Sequence, residues 1–304
     1  MAEKQLIAPL RIDFAGGWID LPDFHKLVPG YVVNAAVTPH ITKENGHVDF
    51  SPYKPGGGVS SSTGALILDS LRLMTKYSSN GLIYSTPQEL AETIFRWENH
   101  MINFKIGRQD QYAIALGGIN SFRFGYDGIH VSEFEVESHL TERTKKVKAL
   151  EERLLLVHSG IKRPAQGIVQ IVRANVASGQ TQYIDALKAL SKCGERATKA
   201  VRTEEFEELA YIMSQNWEAQ KQLVPQCTSE HIDKVHARLL KNGALGGKMC
   251  GCGGGGYFAF YCHDKPKAIA EARKMKLQVI NPTFEMKDVL TLNHLNYDGN
   301  GNTQ

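Results

Sequence analysis

The sequence contains no uninterrupted apolar run near the ~18 residues a membrane-spanning helix needs, so it reads as a chain outside the bilayer. Its first residues, MAEKQLIAPLRIDF, lack the basic, then apolar, then small-residue order of a secretory leader. An excess of one charge is also missing. Thirty-five basic and 32 acidic residues leave a net +3, and the one compact like-charged block is RTKKVK at 143–148. So short a block reads as a solvated helix face and offers no basic stripe to nucleic acid. Cysteine is scarce and odd in number: Cys193, Cys227, Cys250, Cys252 and Cys262. A chain of this size needs no disulfide bridges, so free thiols and a cytoplasmic location are expected. No segment repeats with a period of roughly 20 to 50 residues, which argues against a solenoid.

What is present suffices for two domains sharing an interface: 304 residues, 42% of them hydrophobic. The first half mixes strand candidates (LIAPLRIDFAG, YVVNAAVTPHITKE, HVDFSPY) with helices. One helix begins near Ser62, with Leu66, Ile67, Leu71 and Met74 at helical spacing. The next is marked by Thr86 as N-cap, Pro87 in the first turn and Glu89 as the capping-box partner. A charged helix is expected near 141–152. From about 165 long amphipathic helices follow, broken near 177–181, at Thr203 and at VPQCTSE. The end reads as YFAFYC strand, PKAIAEARKM helix, then LQVI and VLTLNHL strands. A cut near 160 gives domains 1–160 and 161–304.

Four segments can carry chemistry. In KPGGGVSSSTGALI, glycines let backbone N–H groups approach a ligand, and the following helix start adds unpaired N–H groups and the positive dipole end. Taken alone, this is equally a phosphate cradle or a flexible turn before a serine N-cap. GGKMCGCGGGGYFAFYC contains a G-x-G-x-x-G, but it runs into a strand, so a dinucleotide fingerprint is rejected. The C-x-C spacing there is not that of common zinc motifs. In GRQDQYAIALGG, Asp110 reads as a turn carboxylate between glycines, at a site's edge or merely solvated. In APLRIDFAGGWIDLPDF, Arg11, Asp13 and Asp20 surround a Gly-Gly turn beside an exposed-looking Trp18. These charges can bind a polyhydroxylated substrate or simply face water.

In this order the segments resemble the signatures of the GHMP kinases, and within them the D-glycero-D-manno-heptose 7-phosphate kinase type. APLRIDFAGGWIDLPDF, GGGVSSSTGA, GRQDQYAIALGGIN, HSGIKRPA and GALGGKMCGCGGGG carry the likeness, which spans roughly residues 8 to 262. The resemblance implies an α+β chain, with a ribosomal-S5-domain-2-like N-terminal domain and a ferredoxin-like C-terminal domain. It implies ATP and a sugar or sugar phosphate as partners and Mg2+ as cofactor. Phosphorylation would fall on a sugar hydroxyl, with the anomeric position of a heptose phosphate nearest. It leaves a homodimer open. Carried over by position, Asp110 is the catalytic aspartate and Arg11 its cationic neighbour. Gly56, Gly57, Gly58, Ser60, Ser61 and Ser62 wrap the nucleotide, with Ser62 and Glu98 as metal ligands. Asp20, Gly17, Arg163, Gly253 and Gly254 meet the substrate, and Lys162 and Lys105 are further candidates for a distant phosphate.

Two departures stand out. Ser60 occupies a family glycine position, where a left-handed backbone would strain serine. Only about 37 residues lie between Asp20 and Gly58, where the family carries a longer arm that helps frame the adenine. The alternative reading they suggest is a weak or silent sugar-binding protein on the same fold.

Overall fold

The computed structural model describes residues 5–54, 56–77, 84–101, 106–125, 133–140, 144–162 and 166–295. The chain begins with β1 (Leu6–Ala15), the single turn α1 (Pro22–His25), the long β2 (Gly30–Glu44) and β3 (His47–Asp49). Helices α2 (Ser61–Tyr77), α3 (Pro87–Met101) and α4 (Gln109–Leu116) lead to β4 (Ile119–Gly125) and β5 (Glu133–Leu140). Then come α5 (Lys145–Arg153), β6 (Leu154–His158), α6 (Gln166–Ala177), α7 (Thr181–Arg202), α8 (Phe206–Leu223) and α9 (Glu230–Lys241). Strands β7 (Ala244–Met249) and β8 (Tyr257–Cys262), helix α10 (Lys265–Lys274), strand β9 (Val279–Ile280) and the turn α11 (Val289–Leu292) complete it.

Among the described residues two antiparallel sheets result, one ordered β1-β2-β4-β5 with β3 added on β2, the other β7-β8-β6-β9. Helices and antiparallel sheets in separate segments make this an α+β chain. YFAFYC is buried at all six positions: β8 is paired on both edges, by β7 and β6, and helices α5 and α8 pack against it. The start of α3 follows its sequence marks: Thr86 Oγ1 accepts from Glu89 N at 3.2 Å, and the Glu89 carboxylate accepts from Ser85 N at 2.7 Å.

Three expectations change. VLTLNHL is no strand: Asp288 Oδ1 accepts from Leu290 N and Thr291 N, both at 3.0 Å, and this cap winds Val289–Leu292 into a helical turn. Asp110 sits in the first turn of α4, not in an irregular turn. And β6, which a cut near 160 assigns to the first domain, pairs with β8 and β9 in the second sheet. The C-terminal segment in turn crosses back. Val37 forms a bridge with Phe284, and Asn293 bonds the Ile7 backbone through both its amide atoms. The segment that follows the second sheet is thus tied back to β1 and β2 of the first.

Candidate active site

Side chains alternate along β1, so Leu10, Ile12 and Phe14 enter the core while Arg11 and Asp13 share the other face. That face borders a cavity of about 490 Å³, whose lining includes Arg11, Asp20, Ser60, Ser62, Glu98 and Asp110. Arg11 is 4% exposed. Its Nε donates to Asp110 Oδ1 at 2.7 Å, and its Nη1 to Gly58 O at 2.9 Å and Asp13 Oδ1 at 3.3 Å. Burial works against the guanidinium charge, but Asp110 and Asp13 more than offset it, so its pKa stands above the ordinary arginine value. Asp110 lies in the first turn of α4, where the helix dipole also favours a carboxylate.

Asp20 is 6% exposed, and its Oδ1 accepts from Gln109 Nε2 at 2.8 Å. Gln109 is itself oriented by Asn34 Nδ2, which donates to Gln109 Oε1 at 3.2 Å from the middle of β2. A Cβ on Gly107 would lie 1.7 Å from Asp20 Oδ2, so only glycine there leaves the carboxylate its place. Burial, helped by the Asp110 charge, pushes the Asp20 pKa up to about 7; the Gln109 hydrogen bonds and Arg11 oppose this. The sign follows. Because the folded value lies above the unfolded one, the ionised carboxylate costs stability above pH 7 and costs none below about pH 4. Asp20→Asn keeps the acceptor for Gln109 and removes the charge. It is expected to raise Tm by about 3 °C at pH 8 and by under 1 °C at pH 4, as differential scanning fluorimetry would read.

The loop before α2 is held by the second sheet. Tyr257 N donates to Gly57 O at 2.8 Å, the Tyr257 hydroxyl accepts from Lys54 N at 3.1 Å, and Gln278 Nε2 donates to Pro52 O at 2.7 Å. Gly57 therefore has a packing duty: a Cβ there would stand 2.7 Å from the Tyr257 ring. Ser60 adopts φ +57°, the left-handed shape that the family's glycine would accept without strain, and its Oγ is buried with no partner among the described residues.

Glu98 of α3 is 5% exposed and, among the described residues, meets two neutral donors, Thr63 Oγ1 at 2.9 Å and Gln111 Nε2. Burial pushes its pKa up to about 7, although both donors oppose the shift. A carboxylate held this way beside hydroxyls is a hard-oxygen donor set that suits a divalent cation such as Mg2+. Among the described residues no three His, Cys, Asp or Glu side chains gather for a metal, so phosphate oxygens and water would complete its shell.

Gly17, Gly56, Gly58, Ser60, Ser61, Ser62 and Gly253 line the cavity together with Arg11, Asp20, Glu98 and Asp110. Gly57 and Gly254 stand behind the lining: Gly254 N donates to Cys227 O. The hydroxyl that touches Glu98 is that of Thr63, one residue beyond Ser62. Lys162 is exposed and outside the lining, while Arg163 and Lys105 lie outside the described residues. Trp18 is buried, 8% exposed, because a left-handed backbone at φ +82° folds it over the cleft. Thr63 belongs to the same run of hydroxyls as Ser60–Ser62, whereas Asn34, Gly107, Gln111 and Lys248 join the site without a local chemical signal, although a lone polar residue inside VVNAAV is itself a sign of a buried partner.

These elements define a GHMP kinase fold, and residues 196–281 match the family model described as GHMP kinases C terminal. The chain is 25% identical over 179 residues to the D-glycero-alpha-D-manno-heptose 7-phosphate kinase of Campylobacter jejuni, covering 59% of this chain and 51% of that one. It is 23% identical over 318 residues to the bifunctional fucokinase/GDP-fucose pyrophosphorylase of Arabidopsis thaliana, covering 86% of this chain and 30% of that one. It therefore spans about half the length of the first relative and less than a third of the second. The crystal structure of a D-glycero-D-manno-heptose 1-phosphate kinase from Bacteroides thetaiotaomicron shares the fold, with TM-score 0.65 at 17% identity over 93% of this chain and 96% of that one. No helix among the described residues is long and apolar enough to cross a membrane.

Proposed function

We propose that the protein transfers the γ-phosphoryl group of ATP to a hydroxyl of a sugar or sugar phosphate, at the anomeric position of a heptose phosphate or a related sugar. The observation that carries this reading is the 2.7 Å contact of Arg11 with Asp110, in a cavity that also contains Ser60, Ser61 and Ser62 at the start of α2. Phosphoryl transfer asks for positioning and charge neutralisation more than covalent help, and this set supplies both. Asp110 orients the attacking hydroxyl and takes its proton. Arg11, anchored through Nε and Nη1, keeps Nη2 for an oxygen of the transferring group. Asp20, aimed by Gln109 and Asn34, accepts from a second sugar hydroxyl. Glu98 with the Ser62 or Thr63 hydroxyl would hold Mg2+, which when bound neutralises phosphate charge.

Incubation with magnesium ATP and a panel of heptose, mannose, fucose and galactose derivatives, free and phosphorylated, is expected to release ADP with at least one sugar. No turnover with any of them, together with no ATP binding by calorimetry, overturns the reading. The loop gives a second check. Ser60→Gly relieves the left-handed strain and deletes the unpartnered hydroxyl, so Tm is expected to rise by about 2 °C. ATP affinity is expected to fall about fivefold as one hydrogen bond to phosphate is lost.

A further inference from the structure

Asp13 and Lys248 lie 235 residues apart in the chain and form a buried ion pair. The Lys248 side chain on β7 is wholly buried and that of Asp13 on β1 is 3% exposed. At such depth neither charge is tolerated without the other. Lys248 Nζ donates to Asp13 Oδ2 and, at 3.3 Å, to the Asp13 carbonyl. Asp13 Oδ1 accepts from Gly251 N at 3.0 Å and Arg11 Nη1 at 3.3 Å. Arg11 Nε holds Asp110 at the shorter distance of 2.7 Å. Four charges thus alternate from the cavity inward, Asp110, Arg11, Asp13 and Lys248, and sum to zero. Arg11 is hydrogen-bonded to two carboxylates, and a second cation satisfies the deeper one.

We infer that Lys248 is a positioning residue: by neutralising Asp13 it keeps that carboxylate from drawing Arg11 inward, and so holds the guanidinium on Asp110. The inference rests on the kinase reading for its effect on turnover, but not for its effect on Arg11. Without Lys248, Arg11 is the only side-chain cation left on Asp13 among the described residues, and the better-buried carboxylate wins it, since a buried anion needs its partner more than a partly exposed one does. If both inner charges are removed, Asp110 is the carboxylate that remains hydrogen-bonded to Arg11.

The test compares wild type, Lys248→Met and the double variant Asp13→Asn with Lys248→Met. Methionine follows the lysine stem, and asparagine keeps the acceptor for Gly251 N, so the neutral pair preserves packing. Lys248→Met is expected to lower kcat about 30-fold with KM for ATP and for sugar changed less than threefold, and the double variant to recover to within fivefold of wild type. The Arg11 Nε–H resonance, assigned in 15N-labelled protein, is expected to persist in wild type and in the double variant and to broaden by faster exchange in Lys248→Met. The inference is overturned if folded Lys248→Met keeps kcat within threefold and an unchanged Arg11 signal. It is equally overturned if the double variant recovers neither rate nor signal, and this arm decides alone should Lys248→Met not fold. A wild type without turnover would sink the kinase reading, while the Arg11 signal would still judge the inference.

Discussion

Asp110→Asn is expected to bind ATP as the wild type does and to turn sugar over about a thousandfold more slowly. The magnitude is that of a general base removed from a positioned site. Asparagine preserves shape: its Oδ1 can still accept from Arg11 Nε, so the guanidinium stays where the 2.7 Å contact now holds it. The group also stays in the first turn of α4, where the unpaired N–H groups tolerate a side-chain oxygen. What is lost is the ability to take the hydroxyl proton. A coupled ADP-release assay at saturating ATP and sugar, with calorimetry on the same variant, separates the two effects. A kcat within tenfold of wild type would remove Asp110 from its proposed role. Weakened ATP binding with unchanged kcat would place it on the nucleotide instead.

The features of the site that were legible in the sequence are the local ones. The Thr86, Pro87 and Glu89 cap is written within four residues, and the glycine and serine run before α2 stands in a single stretch. Arg11, Asp20 and Asp110, which lie within the family signatures, and Glu98, carried over by position alone, line one cavity. Lys248 and Asp13 each lie inside a signature, GALGGKMCGCGGGG and APLRIDFAGGWIDLPDF, but their pairing had no such signal. Lys248 meets Asp13 across 235 residues and Asn34 meets Gln109 across 75, and no periodicity in either segment names the other. The same limit misplaced β6, an apolar run at home in either sheet until β8 and β9 are seen on its two sides. Trp18 misled for a related reason: a Gly-Gly turn suggests exposure, yet the backbone at φ +82° returns the indole to the cleft.

The glycines at 57 and 58 show how a ligand loop can be constrained by packing before any ligand arrives. Gly58 has φ +78°, and a Cβ there would stand 2.4 Å from the carbonyl oxygen of Cys250. No rotamer relieves a clash between a Cβ and a backbone oxygen, so the loop before α2 and the loop after β7 would have to part. Gly58→Ala is therefore expected to cost about 3 kcal/mol, of which about 1 kcal/mol is left-handed strain and the rest is displaced packing. Gly179→Ala isolates the strain, since Gly179 has a similar φ of +67° and nothing lies within 4 Å of the added Cβ. That variant should lose about 1 kcal/mol. In thermal unfolding the two are expected to fall by about 5 °C and 2 °C respectively. Gly58→Ala should also lower kcat about tenfold, because Gly58 O accepts from Arg11 Nη1 at 2.9 Å and the parting loops stretch that bond. Equal losses of Tm in the two variants would mean that the loops yield without cost. The close contact between the sheets would then have no part in holding Arg11.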